Sequence, residues 1–323
     1  MVLSQLIYKI YFYQYVFKKT LLLKIAHIVN PVKVAKNNQL FAAQLITFES
    51  MMAAKNQSNL SDIELIQCCT QYSEDEEVVP SYFKKLSNLK RSVKDVNSKL
   101  NGRKLPLIKD ILFKTLEIEN VDYIIYTNVD IALMPFFYDT VHQYIKEGND
   151  FISINRRRLE NKYDAVKQLP QMYAELGKSH PGFDCFIFKQ SLLEKLHLDG
   201  ICVGVPFLEV SLLHNLLSVA ENPKILFDKH LSFHVGMNVL GFKKDDYYSH
   251  NRATYFNSIH PKIKSKFDLK KFPFSEERKL TRMIKWALNP SMLTIDYLNL
   301  EGKNSLQKAK LKLDEIRWRI LQR

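Results

Sequence analysis

VDYIIYTNVDIALMPFFYDTV, residues Val121 to Val141, joins an apolar run to a helix start through Thr127-Asn128-Val129-Asp130. The β-branched and aromatic run Tyr123–Tyr126 predicts a buried strand. A second short apolar piece follows, and Pro135 marks the start of a helix. Asn128 and Asp130 stand two apart, which on an extended chain puts both side chains on one side. Two oxygen-bearing side chains at a strand end suit a hard cation or a polar ligand. The plainer reading is an Asn and an Asp that cap the following turn.

Outward from this stretch, strands and helices alternate. Ile25–Asn30 and Ile63–Cys69 read as strands, and 47–55 as a helix between them. The acidic run Glu74–Glu77 reads as a solvated loop. Pro106 is expected to open a helix whose apolar face is Leu107, Ile108, Ile111, Leu112 and Leu116. The Pro135 helix turns Phe137, Val141, Tyr144 and Ile145 inward and stops near Gly148. Phe151–Ile154 reads as a strand ending in Asn155-Arg156-Arg157-Arg158. His180-Pro181-Gly182 reads as a turn feeding a strand at Cys185–Phe188. Ser191 and Glu194 are spaced as a capping box. A helix is expected at 207–219, and short strands at 225–227 and 231–233. This alternation predicts an α/β fold with a mostly parallel central sheet flanked by helices. Ligands of such sheets sit beyond the carboxyl ends of the strands, where Asn128 and Asp130 fall.

The 323 residues carry a net charge of +13, which suits a polyanionic partner such as nucleotide phosphates, an anionic membrane or nucleic acid. The aromatics sit mainly in apolar runs, as core residues do, which ranks nucleic acid last. Cys68, Cys69, Cys185 and Cys202 form no C-x-x-C pair and read as reduced thiols in a cytosolic compartment. Residues 1–22 are apolar, aromatic and basic, but lysines break every run short of the ~18 residues of a membrane span. No small-residue cleavage site follows, so no signal peptide is expected. Ser305–Arg323 reads as a basic helix, with Leu306, Ala309, Leu313, Ile316 and Ile320 as its stripe. Three regions are therefore expected: the segment 1–22, a main domain 23–260 and a basic helical extension 261–323.

Several side chains have the chemistry of a site. Asp130 can hold a divalent ion together with phosphate oxygens. His234, directly after a short apolar strand, is a candidate imidazole ligand. Asp184 enters its strand where it can bind hydroxyls or act as a base. Glu209 stands in the first turn of a helix, where a carboxylate also serves helix electrostatics. Of Arg156, Arg157 and Arg158, one or two are expected to meet phosphate, because neighbours on a strand diverge.

In their order these pieces resemble the GT-A-type glycosyltransferases. YIIYTNVDIAL resembles that fold's D-x-D segment, with Asn128 in place of the first acid. HPGFDCFIF is similar to the segment that shapes the sugar and acceptor pocket. VPFLEVSLL is similar to the acidic helix start that supplies the base of inverting members. LSFHVG resembles the late metal-binding histidine. The resemblance covers Lys24–Phe242 and implies a Rossmann-like GT-A sheet and a nucleotide-diphosphate sugar donor. It also implies Mn²⁺ or Mg²⁺ on Asp130 and His234, Glu209 or Asp184 as base, and a nucleotide cradle that includes Ala26, His27, Asn30, Asp110, Asn128, Arg156 and Arg157. The expected partners are a glycan or glycolipid acceptor and an anionic membrane touched peripherally on its cytoplasmic face, with no nucleic acid. The alternative is a degenerate, non-catalytic scaffold of the same fold, which Asn128 favours.

Overall fold

The computed structural model describes residues 22–285, apart from 60, 161, 228, 237–244, 273, 279 and 283–284. The expected N-terminal segment and the helix at 305–323 lie outside the described residues. Nine strands among those described form one sheet: β1 Leu23–Val29, β2 Ile63–Cys69, β3 Lys84–Lys85, β4 Tyr123–Thr127, β5 Ala132–Leu133, β6 Phe151–Leu159, β7 Lys178–Lys189, β8 Pro223–Leu226 and β9 Ser232–Val235. Their order is β3-β2-β1-β4-β7-β6-β9-β5, with β8 also on β6. β7 runs antiparallel between β4 and β6, and β5 runs antiparallel to β9. The remaining pairs are parallel. This is the architecture that the resemblance implied: a mostly parallel α/β sheet flanked by helices.

Both sheet faces are covered, which explains why the central strands are apolar throughout. In β4, Ile124 and Tyr126 pack with the helices Ile108–Phe113 and Leu208–Val219. Ile125 and Tyr123 face the other layer, against Phe48 and Met51 of the helix Gln39–Gln57 and Phe137 and Val141 of the helix Phe137–Lys146. All four cysteines are buried and unpaired by disulfides.

Several local expectations are corrected. The helix expected at 47–55 runs from Gln39 to Gln57, capped by Asn38. Its first residues after Gln39, Leu40 to Ala43, are half-buried, and Leu40 packs against the core. Pro106 is not the first helical residue. Its carbonyl accepts from the Val203 N–H, and the helix begins at Ile108. Leu116 of the expected apolar face is exposed. The acidic run is a 3-10 helix, Ser73–Val78, in which Asp75 is buried and accepts from the Lys33 N–H. Ser191 caps nothing, because a 3-10 helix Gln190–Lys195 starts from Lys189. The three arginines lie within β6 rather than after it, and His180-Pro181-Gly182 is strand, not turn.

Candidate functional site

The register of β5 and β9 builds the first part of the site. Ala132 pairs with Phe233 and Leu133 with Ser232, antiparallel. The turn before β5 therefore lies beside the residue after Phe233. Asp130 Oδ2 is 3.2 Å from His234 Nε2, and both side chains are part-exposed. Burial alone would raise the Asp130 carboxyl. The hydrogen bond and charge of His234 and the charge of Arg156 outweigh it and hold the carboxyl below its ordinary value.

β7 supplies the second part. Tyr126 pairs with Phe186 and Thr127 with Cys185, so Asp184 sits just past the end of β4, level with Asn128. Shifts of register around Asn155 bend β6, as a bulge does. Its first half pairs with β8 and its second with β9. The bend also separates the arginines. Arg156 Nη1 lies 2.5 Å from Asp184 Oδ2, with both side chains nearly buried. Arg157 instead donates to the carbonyls of Leu176 and Gly177. Arg158 is 2% exposed and donates to the Ser179 carbonyl. Arg156 reaches Asp184, whereas the Arg157 guanidinium turns to the carbonyls of Leu176 and Gly177 rather than to the phosphate position expected of it. Burial pushes the Asp184 carboxyl above its ordinary range, opposed by Arg156 and reinforced by the Asp130 charge.

Glu209 reaches the same place from the helix Leu208–Val219. Phe207, just before it, has φ 71°, a left-handed conformation uncommon for a bulky residue. Its ring packs edge-on against Tyr248 and Phe256. Glu209 Oε1 accepts the Phe183 N–H at 2.7 Å. This approach requires Gly182: a Cβ there would stand 2.5 Å from Glu209 Oε2 and 3.0 Å from His180 Nε2.

His180 had no role in the sequence reading. It lies four residues before Asp184 on the same strand, and its Nε2 is 4.0 Å from Asp184 Oδ2. Burial first, then the charges of Arg156, Arg158 and His234, hold its imidazole far below the ordinary value. It is neutral at pH 7. The available signal was even spacing: His180, Gly182 and Asp184 alternate along one strand face.

The expected nucleotide cradle is placed differently. His27 is fully buried, between Tyr138 Oη at 2.9 Å and Thr127 Oγ1 at 2.9 Å. Ala26 is fully buried in the opposite layer. Neither lines an open strand end, because both lie short of the end of β1 at Val29 and are fully buried. Asn30 Nδ2 donates to the Thr70 carbonyl at 2.7 Å. Asp110 is gripped by Arg91 through two contacts of 2.6 and 3.0 Å. Asn128 Oδ1 accepts from the Tyr126 hydroxyl at 2.9 Å.

Among the described residues no three His, Cys, Asp or Glu side chains converge as a metal cluster. Asp130 and His234 still fit a divalent ion held in part by substrate. Such ions take one or two protein ligands and complete their shell with phosphate oxygens and water.

No protein-family model and no curated protein matches the chain. Among solved structures it is similar to S. aureus TarS 1-349 in complex with UDP-GlcNAc. The identity is 14% and the TM-score 0.45, over 93% of this chain and 90% of that one. It is similar also to M. tuberculosis glucosyl-3-phosphoglycerate synthase, at 12% identity and TM-score 0.42 over 75% of this chain and 81% of that one. A crystal structure of the latter protein contains Mg²⁺ and UDP. These TM-scores lie below 0.5, so residue roles rest on the geometry above.

Proposed function

We propose that the protein is a glycosyltransferase that moves a sugar from a nucleotide-diphosphate sugar to an acceptor hydroxyl, in envelope polysaccharide or glycolipid synthesis. The observation that carries this reading is one convergence past the end of β4. A carboxylate–imidazole pair, a nearly buried arginine and two further carboxylates meet there.

Asp130 and His234 would hold a divalent ion, which when bound supplies Lewis-acid neutralisation of a diphosphate leaving group. Arg156 would add a fixed positive charge beside that diphosphate as its bond to the anomeric carbon breaks. In an inverting transfer Glu209 would take the proton of the acceptor hydroxyl while its oxygen forms the new glycosidic bond. Its Oε1 is anchored on the Phe183 N–H, which fixes the carboxylate over Gly182. Asp184, paired to Arg156, is the second choice of base. In a retaining transfer neither proton step is required, and Glu209 becomes an acceptor contact.

One observation favours a second reading. The Asn128 amide is engaged by Tyr126, which leaves Asp130 as the one carboxylate of the N-x-D segment at the ion position. A non-catalytic binding protein of the same fold would share that feature.

A thermal-shift screen of UDP, GDP, CMP and dTDP, each with Mn²⁺ or EDTA, separates the readings. A ligand that binds only the folded state must stabilise it, by about 2.7 kcal/mol at a hundred times its Kd. The expected result is a shift from one nucleotide that needs Mn²⁺ and disappears in Asp130→Ala. Silence from all four nucleotides would sink the transferase and leave the scaffold.

A further inference from the structure

The positive charge of the chain is unevenly spread. Between Lys262 and Lys285 the sequence has nine Lys and Arg against three Asp and Glu. Nearly half of the whole chain's net charge thus falls in one strap. The strap is fixed from beneath: Ile263 and Phe272 are buried in the cluster that includes Leu212, Leu213 and Leu216 of the helix Leu208–Val219. Some of its charges are engaged locally: Lys271 donates to the Ala220 carbonyl, Arg282 to the Ser275 carbonyl, and Lys285 pairs with Glu277. Lys262, Lys264, Lys266 and Lys270 are exposed and form no ion pair among the described residues. The adjoining surface adds Lys109, paired with Asp199, and His197, whose imidazole is lowered by burial and by the charges of Lys262 and Lys266. Further along, Leu280 is 71% exposed, between Arg278 and Arg282.

We propose that the strap Lys262–Lys285 docks the protein on an anionic lipid bilayer. Unpaired lysines on a rigid support are attracted to a negative membrane surface, each contributing on the order of 1 kcal/mol. A nucleic acid would also attract them, but it needs aromatic faces on which bases can stack. Phe267, Phe272 and Phe274 of the strap are turned inward against the core instead. Among the described residues of the strap, the large apolar side chain left exposed is Leu280, which suits a headgroup boundary. Beyond Lys285 the sequence continues with the apolar stripe Leu306 to Ile320 among lysines and arginines, the composition of an interfacial helix. The docking stands apart from the transfer chemistry, because none of its residues belongs to the site at β4.

The test is co-sedimentation of the full chain with neutral phosphatidylcholine vesicles and with vesicles that contain phosphatidylserine, across a salt series. The wild type should partition onto the anionic vesicles only, and release as salt rises. The variant Lys262→Gln/Lys264→Gln/Lys266→Gln/Lys270→Gln should lose about 1,000-fold in partition. It should keep the wild-type melting temperature and any nucleotide-induced thermal shift, so a failed transferase reading is told apart from failed docking. Equal binding to neutral vesicles, or no binding to anionic ones, overturns the proposal. So does wild-type partition by the variant, or tighter binding of single-stranded RNA than of anionic vesicles at physiological salt.

Discussion

His27 shows how a residue's chemistry follows from its strand's place in the sheet. In the sequence it sits near the end of a strand and invites a ligand. In the fold β1 lies between β2 and β4, and the imidazole is sealed beneath helices with Tyr138 and Thr127 as partners. Burial lowers its pKa from 6.5 to about 3. Between those values the unfolded chain binds a proton that the folded chain refuses, so stability falls as pH drops below 6.5. The slope from this group is roughly 1.4 kcal/mol per pH unit. His27→Gln should be less stable than wild type at pH 7, with a gap that narrows as pH falls towards 5. Urea midpoints at pH 7, 6 and 5 measure it, and parallel curves for the two proteins would refute it. Asp130 and His234, by contrast, were legible as a pair, because a short apolar run marks each: Asp130 stands three residues past β4 and His234 lies within β9. Which arginine reaches the site was not legible, since the bend in β6 overrides strict alternation.

At the scale of elements, β7 and the helix Leu208–Val219 share an apolar layer and are joined besides by a carboxylate. Glu209 is at once the proposed base and the acceptor for the Phe183 N–H. Two substitutions separate these roles. Glu209→Gln keeps an oxygen for the N–H, so the fold should melt within a degree or two of wild type. A glutamine cannot take a proton from a hydroxyl, and general-base catalysis is typically worth 10²–10⁴-fold. Transfer should therefore fall at least 100-fold. Glu209→Ala removes the acceptor as well and should also cost about 1–3 kcal/mol of stability. Full activity in Glu209→Gln, measured as nucleotide release, would move the base to Asp184. Periodicity found the existence of both elements, because their apolar faces are intrinsic to the sequence. It missed the length of β7, since 178–184 is strand only by pairing with a distant, polar stretch of β6.

For the whole molecule, the sheet needs cover on two faces, and the chain supplies the last of it late. Tyr255, Ile259, Ile263 and Phe272 close the layer that also holds Ile124, Phe186 and Leu212. The sequence alone suggested a division at residue 260, between a main domain and a basic helical extension. The buried contacts run past that point, because a few apolar residues in a basic strap suffice to anchor it. A chain that ends at residue 260 loses Ile263 and Phe272, each 5% exposed or less. Deleting a buried side chain of this size costs about 2–5 kcal/mol. Two such losses approach the whole 5–15 kcal/mol that holds an ordinary domain together. The truncation at 260 should therefore be unfolded or molten at 37 °C, while a chain that ends at residue 290 keeps a cooperative thermal transition. Circular dichroism melts of the two chains, with no ligand present, decide it. A cooperative melt from the shorter chain would mean that the sheet is sealed without the strap. The charged segment would then be an appendage rather than part of the fold.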